Sequence, residues 1–232
     1  MIKCNKFQDG KQFILTMSYD DGRTQDRKLV EIFDKYKIRG TFHLNSGKLD
    51  TKNYITSKEV KALYKNHEVS VHTVNHPYLT EIQPFQVINE VLNDKKNLEE
   101  LCGYPVRGMS LPFGASSNEV ERIIETCGMK YSRTGLPTNS FRLPENFLSC
   151  NPTCHHKDSP QLAKAFLEGI KNHPWRIQLF YVWGHSYEFD NSWDLIEEFC
   201  KTVSNIDTVW YAPNIEIYDY ITAVKNLIIS AD

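Results

Sequence analysis

The sequence lacks an apolar run of the roughly 20 residues needed to cross a bilayer, and its first residues, MIKCNKFQDGKQ, contain no apolar signal core. It also lacks clusters of lysine and arginine, with 27 basic against 29 acidic residues and a formal net charge of -2. Nucleic-acid binders and proteins of anionic membranes show a basic surface, so both classes are excluded. We expect a neutral or weakly charged ligand. If this sequence is the whole chain, we also expect a cytoplasmic location.

The sequence also lacks the cysteine spacing of a disulfide framework. The six cysteines, at positions 4, 102, 127, 150, 154 and 200, are scattered along a chain of 232 residues. Chains of this length do not depend on disulfides for their core, so we expect reduced thiols. The composition, 41% hydrophobic and 24% charged, predicts one globular domain over residues 1–232.

Strand patterns alternate with helix patterns along the whole chain. The seven predicted strands are FILTMSY, GTFHLNS, VSVH, GMSLPFG, YSRTG, QLFYVWGH and VWYAPNIEI. Capping-box patterns at 56–59 and 116–119 mark helix starts, Gly40 and Gly103 mark helix ends, and residues 220–229 form the last helix. Such alternation predicts an α/β fold, a distorted (β/α) barrel of about seven parallel strands. The segment 136–157 is predicted to be a long loop over the site.

Two strand ends carry residues that can bind a metal. VSVHTVNH places His72 and His76 at a strand end and the turn that follows, because Pro77 disfavours helix before it. FILTMSYDDG places Asp20 and Asp21 at another strand end. Asp-Gly alone usually marks a turn, but two histidines with one carboxylate form an open metal site. In parallel sheets, chemistry collects at the carboxyl ends of the strands.

The segment CNPTCHH also contains possible ligands. Cys150, Cys154, His155 and His156 lie within seven residues, but Pro152 and the missing second pair argue against a zinc knuckle. We interpret this segment as a loop with exposed histidines, and a second metal site as the minority alternative.

Four motifs resemble those of polysaccharide deacetylases, the NodB homology domains of carbohydrate esterase family four. SYDDG is similar to the first motif of that family (TFDDG), and HTVNH matches the second (H-S/T-x-x-H). LPFG resembles the core of the third (R-x-P-Y-G), and GHSYEF stands where the last histidine motif belongs. The resemblance extends from Thr16 to His185.

The resemblance implies a role for each matching residue. Asp21, His72 and His76 would bind a divalent metal, Zn²⁺ in the first place, with Co²⁺ or Ni²⁺ as alternatives. Asp20 would be the general base, His185 the general acid, and Phe113 would offer its backbone N–H to the oxyanion. The implied substrate is an N- or O-acetylated sugar or oligosaccharide.

The chain departs from the family pattern at one functional position. Ser110 stands where the family has an arginine that orients the base, and Arg142 is our candidate replacement. We expect Trp183 and Trp193, which flank His185, to be core residues rather than a sugar platform. His43 and Asn45, at the end of the second strand, are candidates for substrate contact, with strand-end packing as the alternative.

Three other functions stay open on the sequence alone. Two histidines and a carboxylate also form the facial triad of non-haem iron oxygenases, although those favour all-β scaffolds. The missing arginine is compatible with a non-catalytic carbohydrate-binding relative. A hydrolase acting on a small non-sugar C–N bond would need the same residues.

Overall fold

A computed structural model describes residues 6–227. Its strands are β1 (Phe13–Asp21), β2 (Gly40–Leu44), β3 (Glu68–Val71), β4 (Gly108–Ser110), β5 (Tyr131–Arg133), β6 (Cys154–His155), β7 (Gln178–His185) and β8 (Val209–Tyr211). Its helices are α1 (Asp26–Lys35), α2 (Val60–Leu63), α3 (Pro84–Cys102), α4 (Asn118–Thr126), α5 (Ser159–Asn172), α6 (Trp193–Val203) and α7 (Asn214–Lys225).

All described strand pairs are parallel, in the order β5-β4-β3-β2-β1-β7-β6. On the side of β1 away from β7, β2 pairs with residues 17–21 and β8 with residues 13–15. The sheet therefore curls into the distorted (β/α) barrel that the alternation predicted. Within residues 6–227, no helix has the length and apolarity that spanning a membrane requires.

The inside of this barrel is polar, and the outside of the sheet is apolar. On β1 the buried side chains Thr16, Ser18 and Asp20 alternate with apolar core residues at odd positions from 13 to 19. Because side chains of a strand point alternately to opposite faces, one face packs against helices and the other builds a hydrogen-bonded interior. That interior leads to Asp20 at the carboxyl edge.

The predicted seventh strand is only partly a strand, because α7 begins within it. The first N–H groups of α7 donate outward: Asn214 to Thr41 Oγ1 (2.9 Å) and Ile215 to Glu68 Oε2 (3.0 Å). Two side chains from β2 and β3 thus satisfy donors that a helix start leaves free. This tertiary cap is invisible in the local pattern. The predicted end of this helix, Ile229, lies outside the described residues.

Several other predicted bounds shift by a few residues. The loop from 136 to 157 contains β6, which pairs with β7, and the fourth strand stops at β4 because Pro112–Gly114 forms a 3₁₀ turn. Ser117 rather than Ser116 caps α4, and Gly40 begins β2 instead of ending α1. The capping box at residues 56–59 and the left-handed Gly103 after α3 are confirmed.

The cysteines in the described range are free and buried. Cys4 lies outside the described residues.

Candidate metal centre and active site

Three predicted metal ligands meet at the carboxyl edge of the sheet. Asp21 ends β1, His72 directly follows β3, and His76 lies in the next turn. The Nε2 atoms of His72 and His76 lie 3.7 and 3.8 Å from Asp21 Oδ1. One ligand atom from each residue lies within 4.8 Å of the others.

The side chains present fit a bound cation. Asp21 Oδ1 and His72 Nε2 are buried and make no hydrogen bond to described residues, whereas buried polar atoms normally have partners. Burial lowers the pKa of His72, and burial together with the charge of His72 lowers the pKa of His76 to about 4. Both imidazoles are therefore neutral near pH 7, and neutral imidazole is the form that binds metal.

Neighbouring groups fix the orientation of His72. Its Nδ1 lies 2.9 Å from the carbonyl oxygen of Ser110 and 2.7 Å from Ser110 Oγ. Donation from Nδ1 to the carbonyl leaves the Nε2 lone pair toward Asp21, the arrangement usual for histidine ligands of metals. The backbone N–H of His72 donates to Asp94 Oδ2 of α3 at 3.0 Å.

The same helix holds the loop between the two histidines. Glu90 of α3 accepts hydrogen bonds from the backbone N–H and the side-chain amide of Asn75, at 2.8 and 2.7 Å. Sequence analysis missed Asp94 and Glu90, which lie four residues apart on one helix face. The signal in the sequence would have been two acidic residues on the face of α3 whose other residues pack against the sheet.

Left-handed backbone is concentrated around the cluster. Asp21, Thr73, His76 and Phe113 have φ angles of 82°, 69°, 63° and 59°. Non-glycine residues adopt this region at a cost of about 1–3 kcal/mol each and do so mainly where function requires it. The strain orients two of the three ligands and turns the Phe113 ring onto His76, with ring centroids 4.5 Å apart.

Asp20 is buried beside the cluster as a held, unligated carboxylate. Its Oδ1 accepts from Ser110 Oγ at 3.0 Å, and its Oδ2 accepts from an Arg133 guanidinium nitrogen. Its Oδ2 lies 3.9 Å from His72 Nε2. Burial by itself would raise the pKa of Asp20, but the charge of Arg133 outweighs burial and holds that pKa well below its usual range.

Arg133 therefore occupies the role that sequence analysis offered to Arg142, and that prediction is wrong. Arg142 is exposed, whereas Arg133 is 1% exposed and stacks over the Trp183 ring at 4.5 Å. Ser110 and Arg133 are direct register partners of β4 and β5. Part of the signal was present: Arg133 lies within the predicted strand YSRTG, and the structure ends β5 at this arginine, at the edge where Asp20 lies.

His185 ends β7, and its Cα is the register partner of Asp20. Its Nδ1 lies 3.4 Å from Glu188 Oε2. Burial would lower the pKa of His185, but the hydrogen bond to Glu188 and the charges of Asp20 and Asp21 raise it above the ordinary value. Protonation near neutral pH suits a proton donor.

The candidates for substrate contact at the end of β2 are core residues. His43 is fully buried, with Nε2 2.8 Å from Ser18 Oγ. Asn45 is also fully buried and donates to the carbonyl oxygens of His72 and Thr73, at 2.6 and 2.9 Å. Strand-end packing is therefore the correct alternative.

The histidines of CNPTCHH are not exposed loop residues. His156 is 1% exposed and His155 is half-buried at the end of β6. Burial raises the pKa of the Cys154 thiol to about 12, which opposes thiolate formation. Among the described residues, one other group besides the Asp21 cluster could hold a metal: His155, His185 and Glu188.

The chain thus has the features of a class of α/β barrel proteins: parallel strands, and two histidines and one carboxylate at the open edge that could hold a metal ion. The polysaccharide deacetylase family model matches residues 8–132, and this chain belongs to that family. The chain is 23% identical over 135 residues to the peptidoglycan-N-acetylglucosamine deacetylase PgdA of Listeria monocytogenes, covering 53% of this chain and 28% of the relative.

Solved structures share the fold over nearly the whole chain. A polysaccharide deacetylase from Mycobacterium smegmatis, named as putative, superposes with a TM-score of 0.71 at 14% identity, covering 98% of this chain and 96% of that one. A family 4 acetyl xylan esterase from Clostridium thermocellum, in complex with a cobalt ion, gives a TM-score of 0.59 at 14% identity, covering 89% and 90%. At these identities the likeness establishes the fold.

Proposed function

We propose that this protein is a metal-dependent hydrolase that removes acetyl groups from an N- or O-acetylated carbohydrate. The observation that carries the proposal is the buried Asp20 carboxylate, held by Arg133 and Ser110 next to the unpartnered atoms of Asp21 and His72. Sugar binding alone needs no proton acceptor, whereas hydrolysis by an activated water needs one, and Asp20 lies next to the predicted metal ligands.

With Asp21, His72 and His76 as ligands, a divalent cation, Zn²⁺ in the first place and Co²⁺ or Ni²⁺ as alternatives, would supply Lewis-acid activation of water and of the acetyl carbonyl. The lowered pKa of Asp20 keeps its carboxylate ionised near neutral pH, so it can accept the proton that the attacking water loses. Arg133 and Ser110 fix the direction in which it accepts.

Two other residues would stabilise the charge of the tetrahedral intermediate and supply the proton that the leaving group needs. The backbone N–H of Phe113 would donate to the oxygen of the tetrahedral intermediate, and one such donor typically contributes about 100–1,000-fold in rate. His185, with its raised pKa, would donate a proton to the leaving amine or alcohol. Glu188 positions His185 through its Nδ1.

The substrate class rests on relatives and on charge. The Listeria relative is named for its action on N-acetylglucosamine of peptidoglycan, and this chain spans less than a third of it. The balanced charge of this chain suits an uncharged sugar. We propose an N-acetylglucosamine-containing glycan as the first substrate to test.

The test measures acetate release from N-acetylglucosamine oligomers by chelator-treated protein, before and after addition of Zn²⁺, Co²⁺ or Ni²⁺. We expect release only with metal, and loss of kcat by about 100–10,000-fold in Asp20→Asn, because general bases contribute in this range. Asp9→Asn, an exposed aspartate before β1, is the matched control and should retain the wild-type rate.

Release without metal, or an Asp20→Asn variant as active as Asp9→Asn, would refute the mechanism. Release from small non-sugar amides but not from glycans would keep the chemistry and reassign the substrate.

A further inference from the structure

A second group of metal-binding side chains lies on the other side of His185. Glu188 Oε2 is 2.9 Å from His155 Nε2, 3.4 Å from His185 Nδ1 and 3.5 Å from His156 Nε2. Three imidazoles thus surround one carboxylate oxygen. His155, His185 and Glu188 come from the ends of β6 and β7 and the turn after β7, so the scaffold fixes their positions.

The distances from Glu188 Oε2, two of which are hydrogen bonds, also suit ligand atoms around one cation. Zn²⁺ bonds of 2.0–2.2 Å in tetrahedral geometry put neighbouring ligand atoms about 3.3–3.6 Å apart. The contacts of Glu188 with His185 and His156 fall at this value, and the contact with His155 is slightly shorter. Ligand atoms of His155, His185 and Glu188 lie within 4.8 Å of one another.

His156 lies next to the group. Its side chain is 1% exposed, and its Nε2 lies 3.5 Å from Glu188 Oε2. This imidazole is near enough to contribute a fourth ligand atom.

We propose that His155 Nε2, His185 Nδ1 and Glu188 Oε2 bind a second divalent transition-metal cation, of the Zn²⁺, Co²⁺ or Ni²⁺ class, separate from the Asp21 site. Imidazole nitrogens favour these ions over Ca²⁺ and Mg²⁺, which prefer oxygen ligands. Lys157 is the opposing charge, with Nζ 3.3 Å from Glu188 Oε1 and its side chain 63% exposed. The Lys157 ammonium can move into solvent, and the Glu188 carboxylate is then free to bind the cation.

Occupation of this site has a consequence that rests on the proposed function. A cation at His185 Nδ1 replaces the proton there, which passes to solvent, and the ring keeps only its Nε2–H. The ring is then no longer an imidazolium and is a weak proton donor. We therefore expect excess metal to inhibit acetate release, with occupation of the first site activating and of the second site inhibiting.

The experiment counts metal directly, so its readout does not depend on activity. Chelator-treated full-length protein is dialysed against Zn²⁺, and bound zinc per chain is measured by elemental analysis. We expect two zinc ions in the wild type, one in His155→Gln, one in Asp21→Asn, and two in the matched control His173→Gln, which replaces a histidine after α5. Lys157→Ala should bind the second ion more tightly.

Glu188→Gln is the second variant in case His155→Gln does not fold, which a thermal melt decides. One zinc ion in the wild type, lost in Asp21→Asn and kept in His155→Gln, would overturn the second site and leave the proposed function standing. Two ions in both His155→Gln and Glu188→Gln would also overturn it. Zinc counts as expected without acetate release would keep the second site and refute the proposed function instead.

Discussion

Replacement of Arg133 by methionine tests how the Asp20 carboxylate, the proposed base, is held. The side chains of Arg133 and Asp20 are 1% and 4% exposed, so this is a buried ion pair. Removal of one partner of such a pair costs about 3–5 kcal/mol, because the other charge stays buried without compensation. The guanidinium also donates to Ser18 Oγ (3.2 Å) and to the carbonyl oxygen of Thr134 (2.8 Å). We therefore expect the replacement to lower the free energy of unfolding by about 3–5 kcal/mol.

The same change should affect catalysis more than substrate binding. Without Arg133, the Asp20 carboxylate keeps one hydrogen bond, from Ser110, and loses its fixed direction. We expect kcat to fall by about 100-fold or more, within the range for a general base, with little change in KM. Arg133→Lys should rescue only part of the loss, because an ammonium does not reproduce the guanidinium fork.

Urea unfolding of the metal-free protein and acetate release of the metal-loaded protein are the two assays. Arg142→Met, at an exposed arginine, is the matched control and should behave as wild type. The double variant Asp20→Asn with Arg133→Met removes both charges, so it should be more stable than Arg133→Met alone. A double variant less stable than Arg133→Met, or an Arg133→Met protein with wild-type kcat, would refute the reasoning.

Three further predictions follow from single contacts. Burial raises the pKa of Glu68 to about 7, although its hydrogen bonds oppose the shift. The folded state therefore binds the Glu68 proton more strongly than the unfolded state does, and stability is lost as pH rises from about 4.5 to 7. In urea unfolding at a series of pH values, Glu68→Gln should remove up to about 3 kcal/mol of that loss. An unchanged pH slope would contradict this. Ser110→Ala should weaken metal binding by about 10–100-fold in dialysis, because its hydroxyl supports His72, and equal affinity would exclude that support. Phe113→Gly keeps the backbone N–H and relieves the left-handed φ of 59°, so kcat should persist; its loss would assign the role to the ring.

The parts of the site that could be predicted are those with a local signal. Asp20 and Asp21 end an apolar strand, and His72 and His76 follow another, so parallel strand order alone brings them to one edge. The barrel follows from the alternation of periodicities for the same reason. Neither prediction required knowledge of which side chains touch.

The parts that could not be predicted depend on contacts between distant segments. The start of α7 is set by Thr41 and Glu68, more than 140 positions earlier in the chain. The two-residue β6 exists because β7 offers it an edge, not because its sequence favours a strand. His43 was a candidate for substrate contact with strand-end packing as the alternative, and the structure places it in the polar barrel interior with Ser18.

The position of Arg133, the arginine that holds Asp20, combines a local signal with a contact between distant segments. The resemblance expects an arginine at the residue that is Ser110 here, at the end of β4. Arg133 is the register partner of Ser110 on β5, and neighbouring strands are about 4.8 Å apart, a distance that a long arginine side chain spans easily. One guanidinium can therefore reach the same carboxylate from either strand, provided that it points into the barrel. The Ser110 hydroxyl at the first position is a second donor to Asp20 and contacts His72 Nδ1. In this barrel the cation that holds Asp20 comes from β5, at the same level of the interior face as Ser110 of β4.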